Sequence, residues 1–239
     1  LFVVATACSL AWDNGAEAYF PTLVSPIDVY KHVFFRCKIT DPNLPFNYIW
    51  EEPRYRYDPI SFHPNMQIKG YFQSEKYFKH HREKILQLFA PFSKDMAYFH
   101  KKYDWLMEHP NTVGVQLRYY VEPEYMRYGL EYLEEAMSLF PEDSLFVVTT
   151  NNVEYAHENM PKWAKNVVFL DEPHYICLHL QSLCKHNIIS NSTFGWWGAW
   201  LNQNPDKVVV CPKAWMDGLD VTDTIPPEWI QISDIFLKQ

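Results

Sequence analysis

Several short motifs that mark common enzyme classes are missing from this sequence. The 239 residues include only seven glycines, and these form no Gly-x-Gly-x-x-Gly loop, Walker loop or Gly-x-Ser-x-Gly elbow. Such motifs bring backbone N–H groups or a serine nucleophile up to a dinucleotide, a nucleoside triphosphate or an ester. Their absence argues against a dinucleotide oxidoreductase, an NTPase and an α/β-hydrolase.

The spacings typical of metal and disulfide sites are missing as well. There is no Asp-x-Asp sequence, no Cys-x-x-Cys pair and no His-x-x-x-His pair among the ten histidines. The pair His80-His81 sits in a charged helical pattern and is expected to be solvated. The five cysteines are odd in number and widely spaced, which argues against a disulfide scaffold or zinc knuckle and favours a reducing compartment. The sequence therefore predicts no metal site.

Two further absences concern charge and membranes. No run of Lys and Arg interrupts a net charge of −8, so nucleic-acid binding is not expected. No apolar run is long enough to span a bilayer, and no signal-peptide pattern is present. The sequence starts at Leu1, without methionine and within an apolar helical pattern, so a preceding segment is expected. A single phosphorylated ligand stays compatible with the negative charge, because a few cations and backbone amides can hold it.

Aromatic residues, in contrast, are abundant. The chain contains 16 Tyr, 16 Phe and 9 Trp, together with 17 Pro, which is high for this length. Aromatic faces suit sugar rings and bases as stacking partners.

The second half alternates short apolar runs with amphipathic segments. Strands are predicted at residues 113–118, 145–149, 167–170, 187–190 and 207–210, and helices at 124–140, from Asn152, at 175–185 and from Asn191. Continuous apolar strands between helices are typical of a parallel sheet covered on both faces. We predict a Rossmann-like domain here.

The first half is less regular. Helices are predicted at residues 1–13, 26–34, 74–89 and 93–108, with a proline-rich, aromatic loop region at 42–64. The best boundary lies near residue 110. It divides the chain into an N-terminal domain of residues 1–110 and a C-terminal domain of residues 111–239.

The candidate site is expected where predicted strands end, because ligands of open parallel sheets bind beyond the carboxyl ends of the strands. Three strand-to-helix junctions carry polar residues there. They are residues 116–122, 149–152 and 190–197.

The third junction leads directly from a strand into a helix. Backbone N–H groups at the helix start and the hydroxyls of Ser192 and Thr193 could face an anion. The same residues are equally compatible with a simple N-cap. Likewise, Trp196, Trp197 and Trp200 are compatible with core packing as well as with a stacking platform.

The first junction contains Arg118 at the end of an apolar strand. Its guanidinium can hold a diphosphate through paired N–H bonds and stabilise the charge on a leaving group. Alternatively, it pairs with Glu122 or Glu124. Glu122 is also the candidate catalytic base, although it is equally interpretable as a solvated acid at a helix start.

The residues of the third junction carry a family resemblance. The stretch from Cys184 to Leu201, CKHNIISNSTFGWWGAWL, resembles the most characteristic motif of the α-1,2-fucosyltransferases, glycosyltransferase family 11. The resemblance extends to residues 212–215 and 70–78. The opening Leu1-Phe2 resembles the segment just after the family's glycine-rich first loop, which places that loop and the first strand before Leu1.

This resemblance implies an α/β, GT-B-like fold of two Rossmann-like domains with parallel sheets. The N-terminal domain is then the acceptor side, and the C-terminal domain holds a GDP-fucose donor. The resemblance also implies inversion at the anomeric carbon, no metal, and no cofactor other than the nucleotide-sugar donor substrate. Related fucosyltransferases bind the diphosphate with the arginine that corresponds to Arg118, which makes Arg118 the first predicted catalytic residue. Glu122 is the second, because it lies in the loop where a base would be needed.

The chain departs from the family pattern at three places. Where the family has His-x-Arg-Arg-x-Asp, this chain has Gln116-Leu117-Arg118-Tyr119-Tyr120-Val121. The family's Ser-Asp-Asp corresponds to Thr150-Asn151-Asn152, and an acidic residue is replaced by Cys177. These changes remove charges, including a natural carboxylate acceptor for guanine. A donor with another base or deoxysugar and a non-catalytic glycan-binding descendant therefore stay open as alternatives.

The predicted partners are a sugar nucleotide and a glycan acceptor. The predicted donor-binding residues are Gln116, Arg118, Asn151, Asn152, Cys177, Asn191, Ser192, Thr193 and Phe194. The predicted location is the cytoplasm of a bacterial-type cell, with peripheral association with the inner membrane left open. A Golgi enzyme would need an anchor upstream of Leu1. The sequence does not fix the oligomeric state.

Overall fold

The chain divides into two compact units. The computed structural model describes residues 1–21, 32–40, 44–121, 128–216, 220 and 222–233. The first unit is Leu1–Phe92 with Leu219–Pro227, and the second is Ser93–Gly218 with Glu228–Gln239.

The first unit opens with helix α1 (Phe2–Asp13), as predicted. Two separate pairs of parallel strands come next along the chain. They are β1 (Tyr19–Pro21) with β2 (Lys38–Thr40), and β3 (Tyr48–Glu51) with β4 (Met66–Lys69). The predicted helix at 26–34 falls largely on residues 22–31, outside the described residues.

The third predicted helix is not continuous. Two 3-10 turns, Glu75–Tyr77 and Lys79–His81, precede a short helix α2 (Arg82–Leu88). The helix is interrupted at Phe78, whose backbone (φ −146°, ψ −4°) leaves the helical region. The Phe78 ring is fully buried, with its centre 6.2 Å from that of Phe2 in α1. Burying this ring stabilises the fold more than a continuous helix would. The spacing of apolar residues in the sequence does not reveal this.

The family-like segment of residues 70–78 begins by folding around the carboxylate of Glu52. This carboxylate accepts hydrogen bonds from the backbone N–H groups of Tyr71 (2.7 Å) and Phe72 (3.1 Å). Gly70 has a φ of 156°, and a Cβ at this position would lie 2.5 Å from the Cβ of Glu52. The close approach of the two segments therefore requires glycine at position 70.

The second unit contains the predicted alternation of strands and helices. Its elements are α3 (Ser93–Glu108), β5 (Thr112–Leu117), α4 (Leu130–Ser138), β6 (Leu145–Thr150), α5 (Val153–Glu158), β7 (Val167–Phe169), α6 (His174–Leu183), β8 (His186–Ile189), α7 (Thr193–Leu201), β9 (Val209–Pro212) and β10 (Ile230–Ile232). Within the described ranges, no helix combines the length and the apolar character that crossing a membrane demands.

All six strands of this unit are parallel and lie in the order β10-β9-β8-β5-β6-β7. This is the Rossmann strand order, in which the chain builds outward from β5 in one direction and then from β8 in the other. The parallel α/β sheet is thus confirmed. Strand β10 was not predicted, because three residues are too few to show a period.

Both faces of the sheet are covered. On one face, Val113 and Val115 of β5 pack with Leu133 and Met137 of α4. On the other face, Val147 of β6 belongs to a cluster with buried side chains of α3 and α6. Helix α3, which the sequence placed in the N-terminal domain, thus packs within the second unit. The predicted domain boundary at residue 110 stays a prediction.

A buried amide network joins the middle of the sheet to α6 and to the end of α7. Gln181 of α6 donates a hydrogen bond to the carbonyl of Val147 (3.0 Å), and Asn187 of β8 donates to the carbonyl of Gln181 (2.9 Å). Asn202, which lies just beyond α7, donates to Oδ1 of Asn187 (2.8 Å). Gly114 of β5 leaves the space for this network, since a Cβ there would lie 2.5 Å from Oε1 of Gln181.

We expect Gly114→Ala to lower the free energy of unfolding by about 1–3 kcal/mol, because the added methyl group overpacks the buried amides. Urea unfolding followed by tryptophan fluorescence measures the change. Ser138→Ala, on the exposed surface of α4, is the control and should stay within about 0.5 kcal/mol of the parent. An unchanged stability for Gly114→Ala would contradict this account of the network.

Candidate functional site

The strand order of the sheet switches between β5 and β8, because β6 and β7 follow on one side and β9 and β10 on the other. The candidate site lies at the carboxyl ends of β5 and β8. Helix α4, the next described helix after β5, covers one face of the sheet. Helix α7, the next after β8, lies on the opposite face, because its Gly195 approaches the side chain of Gln116. Connections that leave to opposite faces open a crevice, which is where ligands bind in such sheets.

Ser190 joins the two strand ends. Its hydroxyl donates a hydrogen bond to the carbonyl of Gln116 (2.9 Å) and accepts one from the backbone N–H of Arg118 (3.0 Å). Ser190 is completely buried. The sequence did not single out this hydroxyl, because its partners lie 72 and 74 residues away along the chain.

Arg118 leaves the end of β5 with its guanidinium exposed. The guanidinium carbon lies 5.3 Å from the centre of the Tyr120 ring, a cation–π contact. The Tyr120 hydroxyl donates to the carbonyl of Asn191 (3.0 Å). No carboxylate within the described ranges forms an ion pair with Arg118. Among the described residues, its N–H groups are therefore available to an anion. The alternative pairing with Glu122 or Glu124 falls outside these residues and stays a prediction.

Helix α7 begins at this same edge. Ser192 is its N-cap residue, with extended backbone angles (φ −131°, ψ 129°), but its side chain makes no capping hydrogen bond. Thr193 is exposed and Phe194 is half-buried. The first turn of α7 therefore presents N–H groups that no side-chain cap satisfies, beside two hydroxyl groups. Such a helix start attracts anions.

The tryptophans of α7 belong to the core. Trp196, Trp197 and Trp200 are at most 2% exposed. Trp196 stacks on Trp200 with ring centres 6.1 Å apart, and Trp229 lies 5.6 Å from Trp196. Of the two interpretations of these residues, the structure supports core packing rather than a platform for a ligand.

Three buried acceptors at this edge have no hydrogen-bond partner in the described part of the chain. They are Oε1 of Gln116, Oγ1 of Thr149 and Oδ1 of Asn191. Gln116 and Thr149 are paired in register on β5 and β6, so their side chains point to the same face of the sheet. Buried polar atoms without partners are rare in folded proteins. An ordered water or a bound ligand can supply partners for these three atoms.

The two asparagines of the second junction make internal hydrogen bonds. Asn151 accepts from the backbone N–H of Tyr119 and donates to its carbonyl, both at 2.8 Å. Asn152 caps α5 by accepting from the N–H of Tyr155 (2.9 Å). Asn151 thereby holds the loop after β5 against the loop after β6. The donor-binding role that was expected of these two residues stays a prediction.

Cys177 lies at the start of α6, where its thiol donates to the carbonyl of Glu172 (3.3 Å). Burial raises the pKa of this thiol to about 11, so it is protonated near neutral pH. Glu172 accepts hydrogen bonds from Lys102 and Tyr103 of α3, both at 2.6 Å. Burial would raise the pKa of Glu172, but these bonds hold it below the ordinary value. The expected donor contact of Cys177 stays a prediction.

The predicted site residues are therefore distributed over neighbouring strand ends. Gln116, Arg118, Asn191 and Ser192 come together around the ends of β5 and β8. Among the described residues, no group of three His, Cys, Asp or Glu side chains converges at this edge.

The family assignment rests on a match that covers most of the chain. Residues 46–233 match the model of Glycosyl transferase family 11. The chain belongs to this family. The match contains both motif stretches, residues 70–78 and 184–201, so the resemblance seen in the sequence is confirmed.

Curated relatives of this family 11 chain occur in bacteria and mammals. The O-antigen biosynthesis glycosyltransferase WbnK of Escherichia coli is 30% identical, over 68% of this chain and 59% of the relative. An alpha-1,2-colitosyltransferase of the same species is 26% identical, over 70% of this chain and 63% of the relative. Galactoside alpha-(1,2)-fucosyltransferase 2 of Oryctolagus cuniculus is 29% identical, over 96% and 72%. The chain thus spans less than two thirds of the length of the two bacterial relatives.

Solved structures share the fold. The fucosyltransferase NodZ from Bradyrhizobium superposes with a TM-score of 0.56 at 12% identity, over 82% of this chain and 87% of that chain. A structure of the NodZ alpha-1,6-fucosyltransferase co-crystallised with GDP gives a TM-score of 0.55 at 12% identity, over 82% and 86%. The predicted α/β, GT-B-like fold class of this family 11 chain is confirmed.

We expect Ser190→Ala to destabilise the protein by about 1–3 kcal/mol, because the carbonyl of Gln116 and the N–H of Arg118 then lose the buried hydroxyl that they share. Urea unfolding measures the change. The matched control is Ser182→Ala in α6, whose hydroxyl bonds only to a carbonyl of its own helix (His179, 2.8 Å). Equal losses of unfolding free energy for the two substitutions would show that the hydrogen bonds of Ser190 between the strand ends contribute no more than a local hydrogen bond.

Proposed function

We propose that this family 11 chain transfers fucose from GDP-fucose to a hydroxyl group of a glycan, and that it binds the donor diphosphate where β5 and β8 end. The observation that carries the proposal is Arg118, exposed at the end of β5, with no carboxylate partner in the described part of the chain. The name of the rabbit relative, a fucosyltransferase, and a NodZ structure soaked with GDP-fucose support fucose as the sugar and GDP as its carrier.

Two sets of groups can neutralise a diphosphate here. The guanidinium of Arg118 offers paired N–H donors that match phosphate oxygens. The first turn of α7, with the hydroxyls of Ser192 and Thr193, offers a second set of donors and the positive end of the helix dipole. The Tyr120 hydroxyl joins the two sets, because it bonds to the carbonyl of Asn191 just before α7.

The proposed reaction is a single displacement. The acceptor hydroxyl oxygen forms a bond to the anomeric carbon while the bond to the diphosphate oxygen breaks on the opposite face, which inverts the configuration. The hydroxyl proton passes to a base, and the predicted base Glu122 lies outside the described residues. Arg118 and the start of α7 stabilise the charge that develops on the departing diphosphate, the task that a metal performs in other transferases.

The identity of the base and sugar is the least constrained part of the proposal. Asn151 uses its amide on the backbone of Tyr119, where the family pattern has charged residues at both positions. One relative is named for colitose and others for fucose, so relatives of this chain differ in the sugar they are named for. A donor with another base or deoxysugar is therefore the alternative.

We expect GDP to raise the melting temperature of the protein, since a ligand present at about 100 times its Kd stabilises the folded state by about 2.7 kcal/mol. Arg118→Ala should weaken GDP binding about ten-fold or more, because charge-assisted hydrogen bonds contribute about 1.5–3 kcal/mol. The affinity of Arg118→Lys for GDP should lie between that of the parent and that of Arg118→Ala, since lysine keeps the charge but loses the paired N–H donors. Thermal shift and isothermal titration calorimetry measure both effects.

Lys165→Ala is the matched control, because it removes one exposed positive charge just before β7, at the opposite edge of the sheet. It should leave GDP affinity unchanged. A panel of GDP, UDP and dTDP, and of their sugar conjugates, identifies the base. If none of these nucleotides or conjugates raises the melting temperature, the proposal is wrong. Glycan binding without nucleotide binding would favour the non-catalytic alternative.

Inversion and metal independence have their own readouts. The anomeric configuration of the product, determined by NMR, should be opposite to that of the donor. EDTA should leave the transfer rate unchanged at a temperature where circular dichroism shows that the protein stays folded. A retained configuration or a rate abolished by EDTA and restored by a divalent ion would refute the corresponding part of the mechanism.

A further inference from the structure

A cluster of potential metal ligands belongs to the first unit, whereas the described residues proposed to bind the donor belong to the second. Asp13 is the last residue of α1, and His80 and His81 end the 3-10 turn Lys79–His81. Nε2 of His80 lies 2.9 Å from Oδ2 of Asp13, and Nε2 of His81 lies 2.8 Å from Oδ1. One ligand atom from each residue falls within 4.8 Å of the other two.

Asp13 is placed where an acid is intrinsically unfavourable. A carboxylate in the last turn of a helix faces the negative end of the helix dipole. Partial burial would raise the pKa of Asp13, but hydrogen bonds from His80 and His81 hold it below its ordinary value. The two imidazoles compensate this unfavourable position, and a divalent cation between the three side chains would do the same.

The two imidazoles are oriented by their surroundings. The ring of His81 is edge-on to Trp12 of α1, with centres 5.4 Å apart, and its side chain is only 18% exposed. Nε2 of His80 also lies 3.2 Å from Oγ of Ser9. The tight 3-10 turn brings two adjacent histidines onto one carboxylate, an arrangement that no helical spacing of histidines predicts.

The geometry matches a borderline divalent ion. Zinc–nitrogen and zinc–oxygen bonds of about 2.0–2.1 Å in a tetrahedron separate neighbouring ligand atoms by about 3.3 Å. The present contacts of 2.8 and 2.9 Å need to open only slightly to admit an ion. Two imidazoles and one carboxylate suit Zn²⁺ or Co²⁺ rather than Mg²⁺ or Ca²⁺, which prefer oxygen. Asp13 and His80 are almost half exposed, which leaves room for water as the fourth ligand.

We propose that Asp13, His80 and His81 form a binding site for Zn²⁺ or a similar transition-metal ion that ties the end of α1 to the turn at residues 79–81. This ion is structural. It contributes to the stability of the first unit and takes no part in sugar transfer. The sequence analysis expected both histidines to be solvated. His80 is almost half exposed, whereas His81 is mostly covered, and both contact Asp13.

The free thiols are poor competitors for the ion. All five cysteines are unpaired. Burial raises the pKa of Cys37 and Cys177 to about 11, and that of Cys8, Cys184 and Cys211 to about 12. Metal binding requires the thiolate, which is scarce near neutral pH at such values.

The test is titration of the metal-free protein with Zn²⁺ and Co²⁺. Calorimetry should show one ion per chain, Co²⁺ should give a visible absorption band of tetrahedral character, and Zn²⁺ should raise the melting temperature. His81→Ala and Asp13→Asn should each lower the affinity at least about ten-fold, because each removes one of three ligands. Circular dichroism of the metal-free variants establishes that they remain folded.

The chain supplies a matched control. His100 and Asp104 of α3 are also in contact (3.3 Å), but they belong to no group of three ligands within the described residues. His100→Ala should therefore leave the stoichiometry and affinity for Zn²⁺ unchanged. Binding that survives in the His80→Ala/His81→Ala double variant, or no binding at millimolar Zn²⁺, would overturn the proposal.

Discussion

The geometry of the candidate site depends on one buried hydroxyl. Ser190 donates to the carbonyl of Gln116 and accepts from the N–H of Arg118, so its oxygen connects the ends of the two strands at which the sheet reverses order. This connection sets where Arg118 leaves β5 relative to the start of α7. Tyr120, through its bond to the carbonyl of Asn191, links the same two segments a second time. A ligand held by both segments therefore meets donors whose separation is fixed before it binds.

The fold of the second unit could be predicted because its strands and helices carry local signals. Runs such as Val113–Leu117 are apolar and bounded by turns, and Asn152 caps the helix that begins after it. The first unit was harder to predict because its elements depend on distant contacts. Phe78 interrupts a helix that the period favours, since burial of its ring against α1 is worth more than helix continuation. No window of neighbouring residues contains that information.

The same distinction applies to the site. Arg118 and the start of α7 could be named from sequence, because both are polar interruptions at the ends of apolar runs. The roles of Ser190 and Tyr120 could not, since each depends on a partner more than 70 residues away. The ligand cluster of Asp13 with the two adjacent histidines was missed for the same reason. Its members meet only after α1 and the turn at residues 79–81 pack together.

The departures from the family pattern remove charges of both signs, mostly carboxylates. A neutral asparagine at position 151 can accept from Tyr119 and donate back to it, whereas a carboxylate can only accept. The protein already carries a net charge of −8, and fewer carboxylates beside a diphosphate reduce the repulsion that its binding must overcome. Under the proposed function, the lost carboxylates remove possible acceptors for guanine, and Tyr119, in place of the family's second arginine, removes a cation that could bind the diphosphate. Under the proposed function, discrimination among donors then falls to groups that contact the base and sugar, while Arg118 and α7 keep the common task of holding the phosphates.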